Sequence, residues 1–216
     1  MPEVHDAPLV LYYAPRTRSF TALWILEELE VPYRLESFAI RSGRHRQDDF
    51  LALNPMGKVP VVVDGETPVA ELGALAIYLA DRYRERVQLS PPTDAPERAA
   101  FLRWCFFASA IMEPAYGEKL FGWEAPPPGS VAWGSFERTM GALAAGLSPG
   151  PQLLGETFSV ADALVASNLR FGMLFGALAK DEEPFARYVG RMTTRPAFLR
   201  ARAIETREGE RFPPGA

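Results

Sequence analysis

A chain of 216 residues, 48% hydrophobic and 23% charged, can bury one large core or two small ones. Its formal net charge of −4 gives it no general attraction to phosphate backbones, so no nucleic acid partner is expected. A single cysteine, Cys105, excludes an intrachain disulfide and fits a reducing compartment.

Glu3, His5, Asp6 and Pro8 open the chain with no basic start and no apolar run, so no leader is expected. No stretch approaches the roughly 18 apolar residues that span a bilayer, which makes a cytoplasmic protein without membrane partners the default. Leu9 to Tyr13 is a short apolar and aromatic run ended by Pro15, the pattern of a buried strand. Ser19 to Leu29 places Phe20, Leu23, Trp24, Leu26 and Leu29 at helical spacing with Glu27 and Glu28 between them. That spacing predicts an amphipathic helix with Ser19 near its start, stopped by Pro32. Glu30 stands at the helix exit before Val31-Pro32, where glycine is usual; if it must be left-handed there, it bears about 1 kcal/mol of strain. Tyr33 to Ile40 reads as extended, Gln47 to Leu53 as a short helix, and Val59 to Val63 as a β-branched strand. Asp64-Gly65 predicts a hairpin turn into Pro68 to Ala70, and Glu71 to Arg82 is helical.

Strand signals stop after Tyr83. Ser90-Pro91-Pro92-Thr93-Asp94 has linker composition. Ala99 to about Phe121 predicts a long helix that Pro114 kinks or splits. A proline-rich break from Ala125 to Ser130 precedes a helix over Val131 to Leu147, and Ser148 to Pro151 breaks the chain again. Ser159-Val160-Ala161-Asp162 predicts a capping box opening an apolar helix to about Leu178. Two shorter helices are expected near Pro184 to Met192 and Pro196 to Thr206. The domain plan is 1–84, a linker over 85–95, and an all-helical domain over 96–216. The order βαβ, α, ββα in the first part is the thioredoxin-like arrangement.

Asn54-Pro55-Met56-Gly57-Lys58-Val59-Pro60 is the most informative segment. Proline at the start of a strand cannot donate to the sheet. In a thioredoxin-like fold that position is a cis proline, which turns the backbone of Val59 towards an extended peptide ligand. Together with Leu11-Tyr12-Tyr13, Leu26-Glu27-Glu28-Leu29, Glu71 with Ala74, Tyr78-Leu79 and the Ser159–Asp162 box, in this order and spacing, the chain resembles the cytosolic glutathione transferases, of bacterial type with theta-like features. The resemblance implies an α/β thioredoxin-like N-terminal domain plus an all-α C-terminal domain. It also implies glutathione as co-substrate, a small hydrophobic electrophile and a homodimer, with no metal.

Glutathione carries two carboxylates, an ammonium and a thiol, and each charge needs a partner when it leaves water. The resemblance places the ammonium on Glu71, the γ-glutamyl carboxylate on the free N–H groups of the helix that Glu71 opens, and the peptide backbone on Val59 and Pro60. It places the glycyl carboxylate near His45 and Lys58, with Arg44 as an addition. Where the family has serine after the glutamate, this chain has Leu72, which removes a hydroxyl from the γ-glutamyl site. A non-catalytic binding module is therefore a second reading. A glutathione-dependent isomerase or dehalogenase is a further one.

A thiol of pKa about 8.5 is only a few per cent ionised at neutral pH, so a donor to the thiolate is needed. In the loop after the first strand the hydroxyl candidates are Ser19, Thr17 and, behind them, Tyr13, with Ser19 favoured, though as helix N-cap it also has a structural explanation. Arg16 and Arg18 would add positive potential. Arg18 stands where the beta-like transferases have cysteine, which argues against their disulfide chemistry. The second domain is expected to supply the electrophile pocket from among Trp104, Phe106, Phe107, Met112, Tyr116, Phe121 and Trp123, most of which also read as core. Cys105 reads as a buried thiol, and Asp162 as structural.

Overall fold

A computed structural model describes residues 9–124, 126–147 and 149–215. The segment read above for a leader, residues 1–8, lies outside them, as do Ala125 and Ser148 of the two predicted breaks. The first unit is built on a four-stranded sheet of order β2-β1-β3-β4, with β1 at Leu9–Tyr13, β2 at Tyr33–Ser37, β3 at Val61–Asp64 and β4 at Thr67–Val69. β1 pairs parallel with β2 and antiparallel with β3, and β3 pairs antiparallel with β4. Helix α1 spans Ser19–Leu29, a short α2 spans Asp48–Leu51, and α3 spans Leu72–Arg82. The mixed sheet and helices of this unit are the thioredoxin-like arrangement that the element order predicts. β3 begins two residues later than expected, because its ladder to β1 starts only at the Tyr12–Val61 pair.

The spacing of α1 predicts one polar face, but every residue of the helix except Glu27 is buried. The cause is a helix from the far end of the chain. α9, at Pro196–Arg211, was expected in the helical domain and belongs instead to the first unit, which comprises the chain up to Val87 together with Pro196 onward. Phe198 packs edge-on against both Phe20 and Trp24, with ring centroids 5.5 and 5.0 Å apart. The two glutamates of α1 find partners there. Arg200 Nε donates to Glu27 at 2.7 Å and its terminal nitrogen to the Glu27 carbonyl, while Trp24 Nε1 donates to Glu28 at 2.9 Å. Glu30 ends α1 at φ 53°, in the left-handed conformation.

The second unit, Gln88–Arg195, is helical: α4 at Arg98–Phe106, α5 at Glu113–Phe121, α6 at Phe136–Leu147, α7 at Val160–Phe175 and α8 at Phe185–Thr193. Pro114 does split the long helical stretch. Ahead of it Phe107–Met112 widens into a π-helical turn, as a helix does when a hydrogen bond of its ladder is lost. Asn168 of α7 donates to the Ala108 carbonyl of this turn at 3.1 Å. α6 starts five residues later than its sequence suggests. Gly134 is left-handed at φ 69°, and Glu118 of α5 accepts the Phe136 N–H at 3.2 Å, doing the work of an N-cap. α7 stops at Gly176, φ 87°, three residues short of the predicted end near Leu178.

α7 is held by the predicted capping box. Fully buried Asp162 accepts four hydrogen bonds, from the Ser159 N–H and hydroxyl through one oxygen and from the Leu153 N–H and the Tyr188 hydroxyl through the other. Burial pushes its carboxyl pKa up against the pull of these four donors. Its replacement in Asp162→Ala leaves two buried N–H groups and a buried phenol without an acceptor. An unfolding free energy lower by about 3 kcal/mol is expected, read as a reduced urea midpoint with unchanged slope.

Candidate functional site

Four loops leave the sheet at one end. Because β1 and β2 run parallel in register Tyr13–Ser37, the loops that follow them emerge together. The Tyr12–Val61 pair brings the entry to β3 to the same end, and Val62–Val69 brings the exit from β4. Residues 14–18, 38–47, 59–60 and 70–71 are thereby gathered from stretches far apart in the chain.

The loop after β1 carries the three hydroxyl candidates, and their surroundings differ. Tyr13 is fully buried, and its hydroxyl has no partner among the described residues. Ser19 is also fully buried. Its Oγ accepts the Ala14 N–H at 3.1 Å and lies 2.9 Å from the Ala14 carbonyl and 2.7 Å from Thr17 Oγ1. It makes no N-cap bond, since Arg18 holds the cap position of α1; it pins the loop instead. Thr17 is half-buried; its Oγ1 accepts the Ser19 N–H at 3.1 Å and donates to the Ala14 carbonyl at 2.7 Å. Each hydroxyl has one hydrogen. The Ala14 carbonyl has two lone pairs and lies within reach of both hydroxyls; Thr17 differs from Ser19 and Tyr13 in being only half-buried.

Arg16 has a role the sequence does not signal. It is left-handed at φ 62°, its N–H donates to Glu205 of α9 at 2.8 Å, and its guanidinium donates to the Gly209 and Phe212 carbonyls at the end of that helix. Burial pushes the Glu205 carboxyl pKa up. The guanidinium thus satisfies carbonyls that a helix C-terminus leaves open, and it ties the loop to α9. These partners lie more than 180 residues away, so no local pattern could have found them.

His45 sits half-buried in the loop after β2, its ring parallel to that of Phe38 with centroids 6.4 Å apart. Phe38 in turn packs with Phe50, Ala14 and Val61 in a small core beneath the site. Burial, followed by the charges of Arg46 and Lys58, lowers the His45 pKa. Lys58 is exposed. Its turn is held by Asn54, which donates to the Lys58 carbonyl at 2.9 Å and accepts the Met56 N–H at 3.1 Å. Gly57, left-handed at φ 58°, brings the turn so close to the histidine loop that a Cβ would stand 3.0 Å from the His45 carbonyl. Arg44, the suggested addition to this cluster, is paired with Asp49 through two bonds of 2.8 and 2.7 Å, which hold that carboxyl below its usual pKa.

The Val59-Pro60 peptide is cis. Val59 lies outside the β1–β3 ladder, which starts at Val61. Glu71 is exposed and strained, with φ 62° and ψ 112°, at the start of α3. Leu75 is the first residue of α3 whose N–H bonds back to it, at 2.8 Å, so the amides of Leu72, Gly73 and Ala74 have no intrahelical acceptor. Leu72 is half-buried and offers an amide but no hydroxyl. In the second unit Trp104, Met112 and Tyr116 are core residues, whereas Phe106, Phe121 and Trp123 are more than half exposed; Cys105 is buried. Among the described residues no cluster of His, Cys, Asp or Glu is arranged to hold a metal ion.

Residues 7–81 match the family model for the glutathione S-transferase N-terminal domain. The chain is 32% identical over 164 residues to the disulfide-bond oxidoreductase YfcG of Escherichia coli, an alignment covering 70% of this chain and 74% of that one. It is 27% identical over 177 residues to glutathione S-transferase 2 of Anopheles gambiae, covering 80% and 84%. Among solved structures, a glutathione transferase from Methylococcus capsulatus superposes with a TM-score of 0.75 at 28% identity, over 92% of this chain and 98% of that one. The chain belongs to the cytosolic glutathione transferase superfamily.

A non-glycine residue held in the Glu71 conformation costs of order 1–3 kcal/mol. Glu71→Gly relieves that strain and adds chain entropy to the unfolded state. A net stabilisation of up to about 1 kcal/mol is expected, seen as a higher urea midpoint.

Proposed function

We propose that the chain binds glutathione at this end of the sheet and transfers its thiolate to a small hydrophobic electrophile, working as a homodimer in the cytoplasm. The observation that carries this reading is the convergence of an unpaired strand edge, a strained acidic residue on an open helix N-terminus and a half-buried hydroxyl at one end of the sheet. The Val59 backbone pairs with the cysteinyl residue beside Pro60. Glu71 takes the ammonium, and the α3 amides from Leu72 onward take the γ-glutamyl carboxylate. His45 and Lys58 hold the glycyl carboxylate. Thr17, rather than Ser19 or Tyr13, donates to the thiolate, because it is the one of the three that is not fully buried; its hydrogen turns from the Ala14 carbonyl to the sulfur. The thiolate then forms a bond to carbon and a leaving group departs, or an epoxide or activated alkene opens and takes up a proton.

A second reading is favoured by the relative named a disulfide-bond oxidoreductase. In it, bound glutathione thiolate attacks a disulfide, forms a mixed disulfide and releases a thiolate, and a second glutathione resolves the product. The electrons come from glutathione, since the chain's single cysteine is buried. Parallel assays with 1-chloro-2,4-dinitrobenzene and bis(2-hydroxyethyl) disulfide separate the two readings. Failure of immobilised glutathione to retain the protein would overturn both and leave the non-catalytic role that Leu72 suggests.

Removing a hydrogen bond to a charged group forfeits roughly 1.5–3 kcal/mol. Thr17→Ala is therefore expected to lower turnover about 10- to 100-fold and to move the rise of the pH–rate profile to higher pH, with Thr17→Ser restoring both. Ser19→Ala is expected to lower thermal stability while leaving the position of that profile in place. An unmoved profile in Thr17→Ala would exclude it as the donor.

The lowered pKa of His45 means that the free protein carries it neutral at pH 7. A carboxylate beside it raises that pKa, so binding takes up a proton. Glutathione affinity is expected to strengthen as pH falls from 7 through the His45 titration. His45→Gln flattens this dependence, which calorimetric titration at a series of pH values reads directly.

A further inference from the structure

A cavity of about 170 Å³ opens beside the loop after β1, within the first unit, between Pro15 and Arg16, the residues 39–41 that follow β2, and the C-terminal segment from Phe212. Its apolar lining comes from Pro15, Ile40, Phe212 and Pro213, and its charged groups are two arginines, Arg16 and Arg41, with no acidic side chain. The far wall is a built feature: the Arg16 guanidinium donates to the Gly209 and Phe212 carbonyls and holds the tail in place. Arg41 is exposed and has no ion-pair partner among the described residues.

Size and charge together define an occupant. An apolar cavity of roughly 150 Å³ accepts a benzene ring, so this one has room for a single ring. A guanidinium at the edge of an apolar cleft selects a planar anion, a carboxylate above all. We propose that this cavity binds a small single-ring aromatic carboxylate, its ring against Pro15, Ile40 and Phe212 and its carboxylate on Arg41. Pro15 stands two residues from Thr17, so the ring lies beside the loop that carries the proposed thiolate donor. That this ligand is the electrophile, and that the chain's substrates are aryl acids, rests on the glutathione reading; the binding of the acid does not.

Calorimetric titration of the full chain with phenylacetate, 2-phenylethanol and 1-naphthylacetate, with and without saturating glutathione, tests the proposal. Phenylacetate is expected to bind about tenfold more tightly than the alcohol and more tightly than the naphthyl acid. Arg41→Gln is expected to erase the advantage of the acid over the alcohol and to leave glutathione affinity unchanged, while Phe212→Ala weakens the acid and the alcohol alike. Equal affinity for acid and alcohol, no binding of phenylacetate, or an Arg41→Gln variant that weakens glutathione in place of the acid would overturn it. Phenylacetate binding without glutathione binding would sustain the cavity and overturn the transferase reading. The reverse result would sustain that reading and overturn the cavity.

Discussion

The pairing of β1 with β2 on one side, parallel, and with β3 on the other, antiparallel, is the constraint on which the site depends. A strand flanked this way delivers the chain ends of its neighbours to one edge of the sheet. The β1–α1 loop, the histidine loop, the Val59-Pro60 approach and the start of α3 then meet without further specification. Strain is tolerated at that edge: among the described residues, two of the three non-glycine residues with positive φ, Arg16 and Glu71, lie in these loops. Backbones so held persist where the surroundings over-determine them. Here the surroundings are the end of a four-stranded sheet and a helix N-terminus.

α9 supplies the second support. By covering α1 it turns an amphipathic helix into a buried one, and Phe198 against Phe20 and Trp24 provides the apolar contact. The polar residues left over are not orphaned, since Glu27 meets Arg200 and Glu28 meets Trp24. The same helix reaches the loop after β1 through Glu205 and its own C-terminal carbonyls. The far end of the chain therefore bears on the geometry of Thr17 and on one wall of the neighbouring cavity. Loop, helix and cavity form one mechanical unit.

Much of the first unit was legible residue by residue. α1 runs over the predicted Ser19–Leu29 and Glu30 is left-handed, while the hairpin turn falls one residue on from the expected Asp64-Gly65, at Gly65-Glu66, because Asp64 still pairs with Thr67. The capping box at Ser159 and Asp162 and the interruption before Pro114 also form as read. These features are local: caps, turns and prolines act within four residues of themselves. The misplaced boundaries have non-local causes. α6 begins where Glu118 of another helix accepts its first amide, β3 begins where its ladder to β1 does, and α9 joins the first unit because its apolar face matches that of α1.

The same division runs through the site. Element order and motif spacing carried the fold class and the resemblance to the superfamily, and that resemblance in turn pointed to His45, Lys58, Val59, Pro60, Glu71 and Leu72 as a set. Such signals are written in residue type and spacing, which the chain carries wherever it folds. They favoured Ser19, with Thr17 beside it and Tyr13 behind, but could not decide among three hydroxyls within seven residues. Only the tertiary structure decided which hydroxyl is half-open and which are buried, that Arg44 is taken by Asp49, and that Arg16 reaches α9. Burial and hydrogen-bond saturation are properties of what packs around a residue, and for Arg16 those neighbours lie at the opposite end of the chain.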